Sequence, residues 1–219
     1  PIHKGNSAGV DPMEGYRLNF SDAMRMSGFT LNEELVRHLE ASPTTRAKSN
    51  YFWTDCTNAT NGIADGEDKI EYYTPEIRQT WESERGGTAI MVLTRCGQEN
   101  YDMLIDNVAG FVKGDGMMDP PKDQGHKTGR SSLALIDEEI AILEMIKEAK
   151  DAGYFDKFIV LLNTGNTMEV NWLDKYGVDA CVYTGLIGGV GALGTAQLLA
   201  GEANFSGKSV DTYAYDSLS

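Results

Sequence analysis

The chain has 219 residues, 41% of them apolar, and carries 33 acidic against 19 basic side chains, for a formal net charge of −14. That length suits one large α/β domain or two small ones. The acidity removes the basic footprint that nucleic-acid phosphates require and disfavours an anionic membrane surface, and no run approaches the roughly 18–20 apolar residues of a membrane span.

Pro1 opens no recognisable leader peptide, and Pro1 to Val10 reads as a loop, with His3 to Gly9 rich in turn formers. A helix is expected over Leu18–Met26, with Ser21-Asp22 setting its start and Gly28 ending it. A second follows at Leu31–Leu39, where Asn32 can cap and Glu33-Glu34 lie in the favourable first turn. His38 reads as an ordinary surface residue of that helix. The acidic turn Asp65-Gly-Glu-Asp68 contains oxygen ligands but lacks the full calcium-loop pattern, and it reads better as a solvated turn. A helix is expected over Pro75–Glu84.

Thr88–Thr94 is a short apolar run between Gly86-Gly87 and Gly97, the pattern of a buried strand in a parallel sheet. Arg95 to Asp102 follows it, so Glu99 and Asp102 fall at the carboxyl end of a strand, where open parallel sheets bind their ligands. Asn107 to Arg130 is rich in glycine and charge and long for a connection inside a compact domain. Beyond it, helices are expected at Asp137–Ala152, Met168–Tyr176 and Gly191–Ala200, and strands at Phe158–Leu162 and Ala180–Tyr183. Ile140, Leu143, Ile146 and Ala149 carry helical spacing in the first of these. Strands alternating with helices predict a three-layer α/β/α sandwich on a mainly parallel sheet, the strands near Ala89–Leu93, Phe158–Leu162 and Ala180–Tyr183 lying side by side.

Cys56, Cys96 and Cys181 are scattered, with neither a zinc spacing nor a disulfide framework, and Cys181 reads as a small buried hydrophobe. A reducing, cytoplasmic setting is the simpler expectation, with secretion as the alternative, since Asn58-Ala-Thr and Asn204-Phe-Ser match the glycosylation pattern. His3, His38 and His126 form no triad or metal pattern, and Ser131-Ser132 lack the strained turn of a hydrolase nucleophile. Gly189-Val-Gly191-Ala-Leu-Gly194 matches the dinucleotide fingerprint, yet no second strand follows to present an acidic residue such as Asp211 to a ribose. The glycines therefore read as close helix–sheet packing. Neither a metal nor a cofactor is expected.

The C-terminal half carries a family resemblance. Phe158-Ile-Val-Leu-Leu-Asn-Thr-Gly-Asn, Val178-Asp-Ala, Gly188-Gly-Val-Gly-Ala-Leu-Gly and Leu199-Ala-Gly-Glu-Ala-Asn-Phe-Ser-Gly-Lys resemble the second, α/β sandwich domain of family 3 glycoside hydrolases, with Phe205 where proline is usual. Cys96-Gly-Gln-Glu-Asn-Tyr-Asp102 is similar to the family's G-E-G-x-D segment, whose glutamate is the general acid/base in many members. It departs in Gln98, Asn100 and Met103.

The resemblance implies Glu99 as general acid/base, Asp102 as a substrate-binding residue, and a β-glucoside or oligosaccharide as substrate. It also implies a companion (β/α)₈ barrel that carries an aspartate nucleophile. Such a barrel needs about 250 residues, so residues 1–219 are expected to be a single sandwich domain of a larger enzyme, inactive alone. The closing Val210–Asp216 resembles members whose sandwich precedes the barrel. Two other classes stay open: a non-catalytic sugar- or nucleotide-binding module using the Gly188–Gly194 turn, and a structural domain in which Glu99 has no catalytic task.

Overall fold

The computed structural model describes residues 18–42, 67–83, 85–95, 131 and 133–216. Helix α1 spans Phe20–Met26 and α2 spans Glu33–Glu40. The start of α1 is set by Asn19, not by Ser21-Asp22. Its side-chain oxygen accepts from the Asp22 amide at 2.7 Å, and its amide donates back to the Asp22 carboxylate at 2.8 Å. Asn32 caps α2 as expected, accepting from Leu35 N, and its Nδ2 reaches Thr80 at 2.7 Å. Thr80 belongs to α3, Pro75–Glu82, which starts on a Thr74 cap with proline in the first turn.

Strand β1 runs over Gly87–Arg95, and α4 over Asp137–Asp151. β2 covers Phe155–Thr164, α5 Trp172–Lys175, β3 Ala180–Tyr183 and α6 Gly191–Leu199. Both strand pairings are parallel, in the order β1-β2-β3, with Leu93 opposite Leu162 and Leu162 opposite Tyr183. The three segments expected side by side therefore form one sheet.

Side chains alternate across the sheet, and each face has its own core. Ala89, Met91, Leu93, Phe158, Val160 and Leu162 pack with Ile77 and Trp81 of α3, Ile142, Leu143, Met145 and Ala149 of α4, and Met168, Trp172 and Tyr176. On the opposite face Ile90 packs with Ala23 and Met24 of α1 and Ala192 and Ala196 of α6. Helices thus cover both faces, and the architecture is the α/β/α sandwich read from the sequence.

Several local readings are corrected. Only Trp172–Lys175 of the expected Met168–Tyr176 helix is helical, because Glu169 N donates to Leu133 O and Val170 N to Ala214 O. Backbone donors committed to outside partners cannot also build a helical ladder. On α4, Ile140 and Ile146 are only half-buried, and Ile142 and Met145 take the core positions beside Leu143 and Ala149. Cys181 is exposed, because β3 is a short strand at the edge of the described sheet. Asp68 is buried, not solvated, and its amide donates to the Glu67 carboxylate at 2.8 Å.

His38 is no plain surface residue either. It is half-buried, stacks on Tyr72 with ring centroids 4.1 Å apart, and its Nε2 donates to Tyr72 O at 2.8 Å. Tyr72 returns a bond from its hydroxyl to His38 O at 2.7 Å, so α2 is pinned to the chain ahead of α3.

Candidate functional site

Because all described strands are parallel, β1, β2 and β3 end on one edge of the sheet. At that edge the core changes from hydrocarbon to buried polar groups: Thr94, Asn163 and Thr164 are all buried. Thr94 stands opposite Asn163 and Arg95 opposite Thr164.

Asn163 and Thr164 help to hold the rim. Asn163 donates from Nδ2 to Gly185 O at 2.6 Å, tying the end of β2 to the loop after β3. Thr184 donates both its amide, at 2.9 Å, and its hydroxyl, at 3.1 Å, to Leu162 O. The Thr164 hydroxyl donates to Asn166 O and accepts from Asn166 N, both at 3.0 Å, which closes a small turn over the β2 terminus. Gly185 turns the chain with φ +63°. Side-chain bonds of this kind fix strand ends that have no ladder left to extend.

Next along the rim is the glycine turn leading into α6. Gly189 O accepts from Leu18 N at 3.0 Å, and a Cβ on Gly191 would stand 2.9 Å from Ile187 Cβ. Gly191 is therefore a close-packing glycine, pressed against its own turn and not against the sheet. Gly194 has no such neighbour within 4 Å, and the α6 packing falls to Ala192 and Ala196 against α1. Asp211 is exposed and lies in no strand.

The other end of the sheet is held by charge. Asp179, from the Val178-Asp-Ala motif, accepts from Lys150 Nζ at 2.5 Å and from Phe158 N at 2.7 Å. The Lys150 hydrogen bond, with the Phe158 amide second, holds the Asp179 carboxyl below the usual aspartate range. The same ammonium donates to Gly177 O at 2.8 Å. Asp179 is thus a clamp at the amino end of β3, far from the ligand edge.

Sequence reasoning did not single out Asn163, Asp179 or the pair Tyr183–Tyr213, whose rings meet edge-to-face with centroids 6.2 Å apart. For the first two a signal existed: polar residues placed where an apolar strand stops or is about to begin. Burial pushes the Tyr213 phenol up to about 12, with the nearby Tyr183 adding to the shift.

Glu99, Asp102 and the segment Asn107 to Arg130 lie outside the described residues, as do Asp65, Cys56, Cys96, His3 and His126. Among the described residues no three His, Cys, Asp or Glu side chains converge as a metal ion would need, and no helix is long and apolar enough to cross a membrane. Among the described residues, Thr94, Asn163 and Thr164 form a buried polar rim at the carboxyl edge of the sheet.

Comparison with known proteins gives this fold its family. A β-glucosidase of Ruminococcus albus is 36% identical over 95 residues, which cover 43% of this chain and 10% of that protein. Beta-glucosidase A of Butyrivibrio fibrisolvens is 30% identical over 129 residues, covering 58% of this chain and 15% of that one. The crystal structure of a β-glucosidase from Paenibacillus barengoltzii superposes with a TM-score of 0.65 over 98% of this chain and 20% of its own, at 22% identity, a likeness of fold. The chain thus matches between a tenth and a fifth of the length of these proteins. The family model for the glycosyl hydrolase family 3 C-terminal domain matches residues 87–218, from the first residue of β1 into the C-terminal tail. With that model covering more than half of its length, the chain belongs to glycosyl hydrolase family 3, as the family's C-terminal domain.

Proposed function

We propose that this chain is the acid/base-bearing sandwich domain of a retaining, β-glucosidase-like glycoside hydrolase. The observation that carries the reading is the family match beginning at β1, with Glu99 four residues beyond the last residue of that strand. Four residues of chain span at most about 14 Å, a short tether from the rim of Thr94, Asn163 and Thr164. The β-glucosidases among its relatives supply the substrate class, a terminal β-glucoside.

In a retaining mechanism two carboxyl groups stand about 5–5.5 Å apart, one attacking the anomeric carbon and the other protonating the departing oxygen. Glu99 is assigned the second task. In glycosylation it gives its proton to the leaving-group oxygen, and in deglycosylation it takes one from the incoming water. Asp102, in the same segment, is assigned to the sugar hydroxyls. The attacking carboxylate comes from a (β/α)₈ barrel domain of the same polypeptide, consistent with the small share of each relative that this chain covers. The Val210–Asp216 segment supports an order in which the sandwich precedes the barrel.

A proton donor must hold its proton near the working pH, above the reference glutamate value of about 4.3. Closing the barrel over this edge brings desolvation and a like charge, and both act in that direction.

The test is Glu99→Ala in the full-length polypeptide that contains this domain. Protonation matters for a sugar leaving group and hardly at all for a nitrophenolate. The kcat/KM for a disaccharide should fall about 10²–10⁴-fold, while that for a dinitrophenyl β-glucoside should fall far less. Equal, small losses on both substrates would leave Glu99 as an ordinary loop residue.

A further inference from the structure

Cys181 stands opposite Val160 and Tyr183 opposite Leu162, so both belong to the sheet face whose core contains Phe158, Val160 and Leu162. The helices on that face leave Cys181 exposed and Tyr183 51% exposed. What lies against them, among the described residues, is the C-terminal tail. The ring of Tyr213 meets Tyr183 edge-to-face, with an interplanar angle of 67°. Its phenol is close enough to the Cys181 thiol to sense it, and its side chain packs on the margin of the same core.

The tail reaches that position across a long solvated span. Residues 201–212 are all exposed. After Glu202 N, which donates to Gln197 O at 2.9 Å, the next backbone bond to the body of the domain is the one Ala214 O accepts from Val170 N at 3.1 Å. Between them, among the described residues, the hydrogen bonding is internal to the tail, from Ser209 Oγ to Asp211 O at 2.7 Å. A segment with few buried contacts and a solvated backbone opens at far less free energy than the core. Two adjacent residues, Tyr213 and Ala214, fasten this one after the span.

We propose that residues 201–214 form a detachable strap over β3, fastened by Tyr213 and Ala214 and opening without the rest of the domain. Ala180–Tyr183 carries no charged side chain and lies at the edge of the described sheet. Such a strand is a template for pairing with another chain unless something blunts it, and the docked strap sets Tyr213 across it. Ordering the solvated span costs conformational entropy. One aromatic pair and one hydrogen bond offset that cost only narrowly, which makes the attachment reversible. No residue of the strap is assigned to the chemistry, so the strap is independent of the glycosidase reading.

The Val170 amide reports the strap directly, because its acceptor is Ala214 O, whereas the neighbouring Glu169 amide donates to Leu133 O at 3.0 Å. The experiment is residue-resolved hydrogen exchange on the full-length polypeptide that contains this domain, under conditions where reclosing outpaces exchange. Val170 should be protected at least about tenfold less than Glu169 and than the amides of β2. Tyr213→Ala should speed Val170 exchange by a further factor of about two to ten, the worth of an edge-to-face pair, and leave Glu169 unchanged. Tyr183→Ala should do the same, and the two together should do no more than either alone. Tyr213→Phe, which keeps the ring, should stay near the unsubstituted value.

If Val170 in the unsubstituted protein is protected as strongly as the amides of β2, the strap opens only with the whole domain and the inference is overturned. In a Tyr213→Ala protein whose β2 amides stay protected, equal acceleration of Val170 and Glu169, or no change in Val170, overturns it as well. Where a variant loses its β2 protection, the comparison within the unsubstituted protein decides.

Discussion

Asp179 illustrates how a carboxylate within a sequence motif can serve the architecture alone. Its side chain bonds Lys150 and Phe158 N at the amino end of β3, opposite the ligand edge. Because these bonds lower its pKa in the folded chain, its contribution to stability is fully present above the unfolded value of about 3.9 and is lost as the pH falls through the lower folded value. The pair is partly exposed, with 42% of the aspartate side chain accessible, so the contribution is modest. Urea denaturation of Asp179→Asn should show a loss of about 0.5–1 kcal/mol near neutral pH. That difference should shrink below about pH 4, as the wild-type carboxylate is protonated too. A difference that persists unchanged at pH 3 would assign the effect to shape instead of charge.

At the scale of elements, the small residues matter as much as the large ones. Helices α1 and α6 meet through Ala23, Ala192 and Ala196, with Ala23 and Ala196 fully buried. Overfilling such a contact forces neighbours off their rotamers. Ala196→Leu should therefore destabilise the chain by about 1–3 kcal/mol, measured by urea denaturation. Ala192→Ser, which adds little volume, should cost less.

This is also the scale at which the sequence was most and least readable. Apolar runs such as Ala89–Leu93 and Phe158–Leu162 announced their strands, because a strand buried on both faces leaves a continuous apolar signature. Asn32 announced its cap for an equally local reason. What failed was decided at a distance. The end of Met168–Tyr176 that did not become helix gave its amides to Leu133 and Ala214, and His38 found Tyr72 across 34 positions. Cys181 looked like core because the composition of a strand does not say whether it lies at a sheet's edge. The rim itself was half legible. An asparagine directly after an apolar strand marks a strand end, yet nothing in Asn163-Thr-Gly names Gly185 as its partner.

For the molecule as a whole, the question is whether this fold can act by itself. A retaining glycosidase needs two carboxyl groups on either side of the bond, and only Glu99 is assigned within these 219 residues. The chain alone should release no nitrophenol from an aryl β-glucoside above the buffer rate. Turnover by the pure chain, abolished by Glu99→Gln, would place the second carboxylate here, with Asp102 the first suspect.

The most direct test of the central claim, that Glu99 is the acid/base, is azide rescue of Glu99→Ala in the full-length polypeptide. With a dinitrophenyl β-glucoside the first step needs no proton, so the covalent glycosyl-enzyme still forms. Water then lacks a base to activate it, and the intermediate accumulates. Azide needs no base and should restore turnover in proportion to its concentration, yielding β-glucosyl azide with retained configuration. If Glu99→Ala hydrolyses the substrate at the wild-type rate, or forms no glycosyl azide at any azide concentration, the proton donor is another residue.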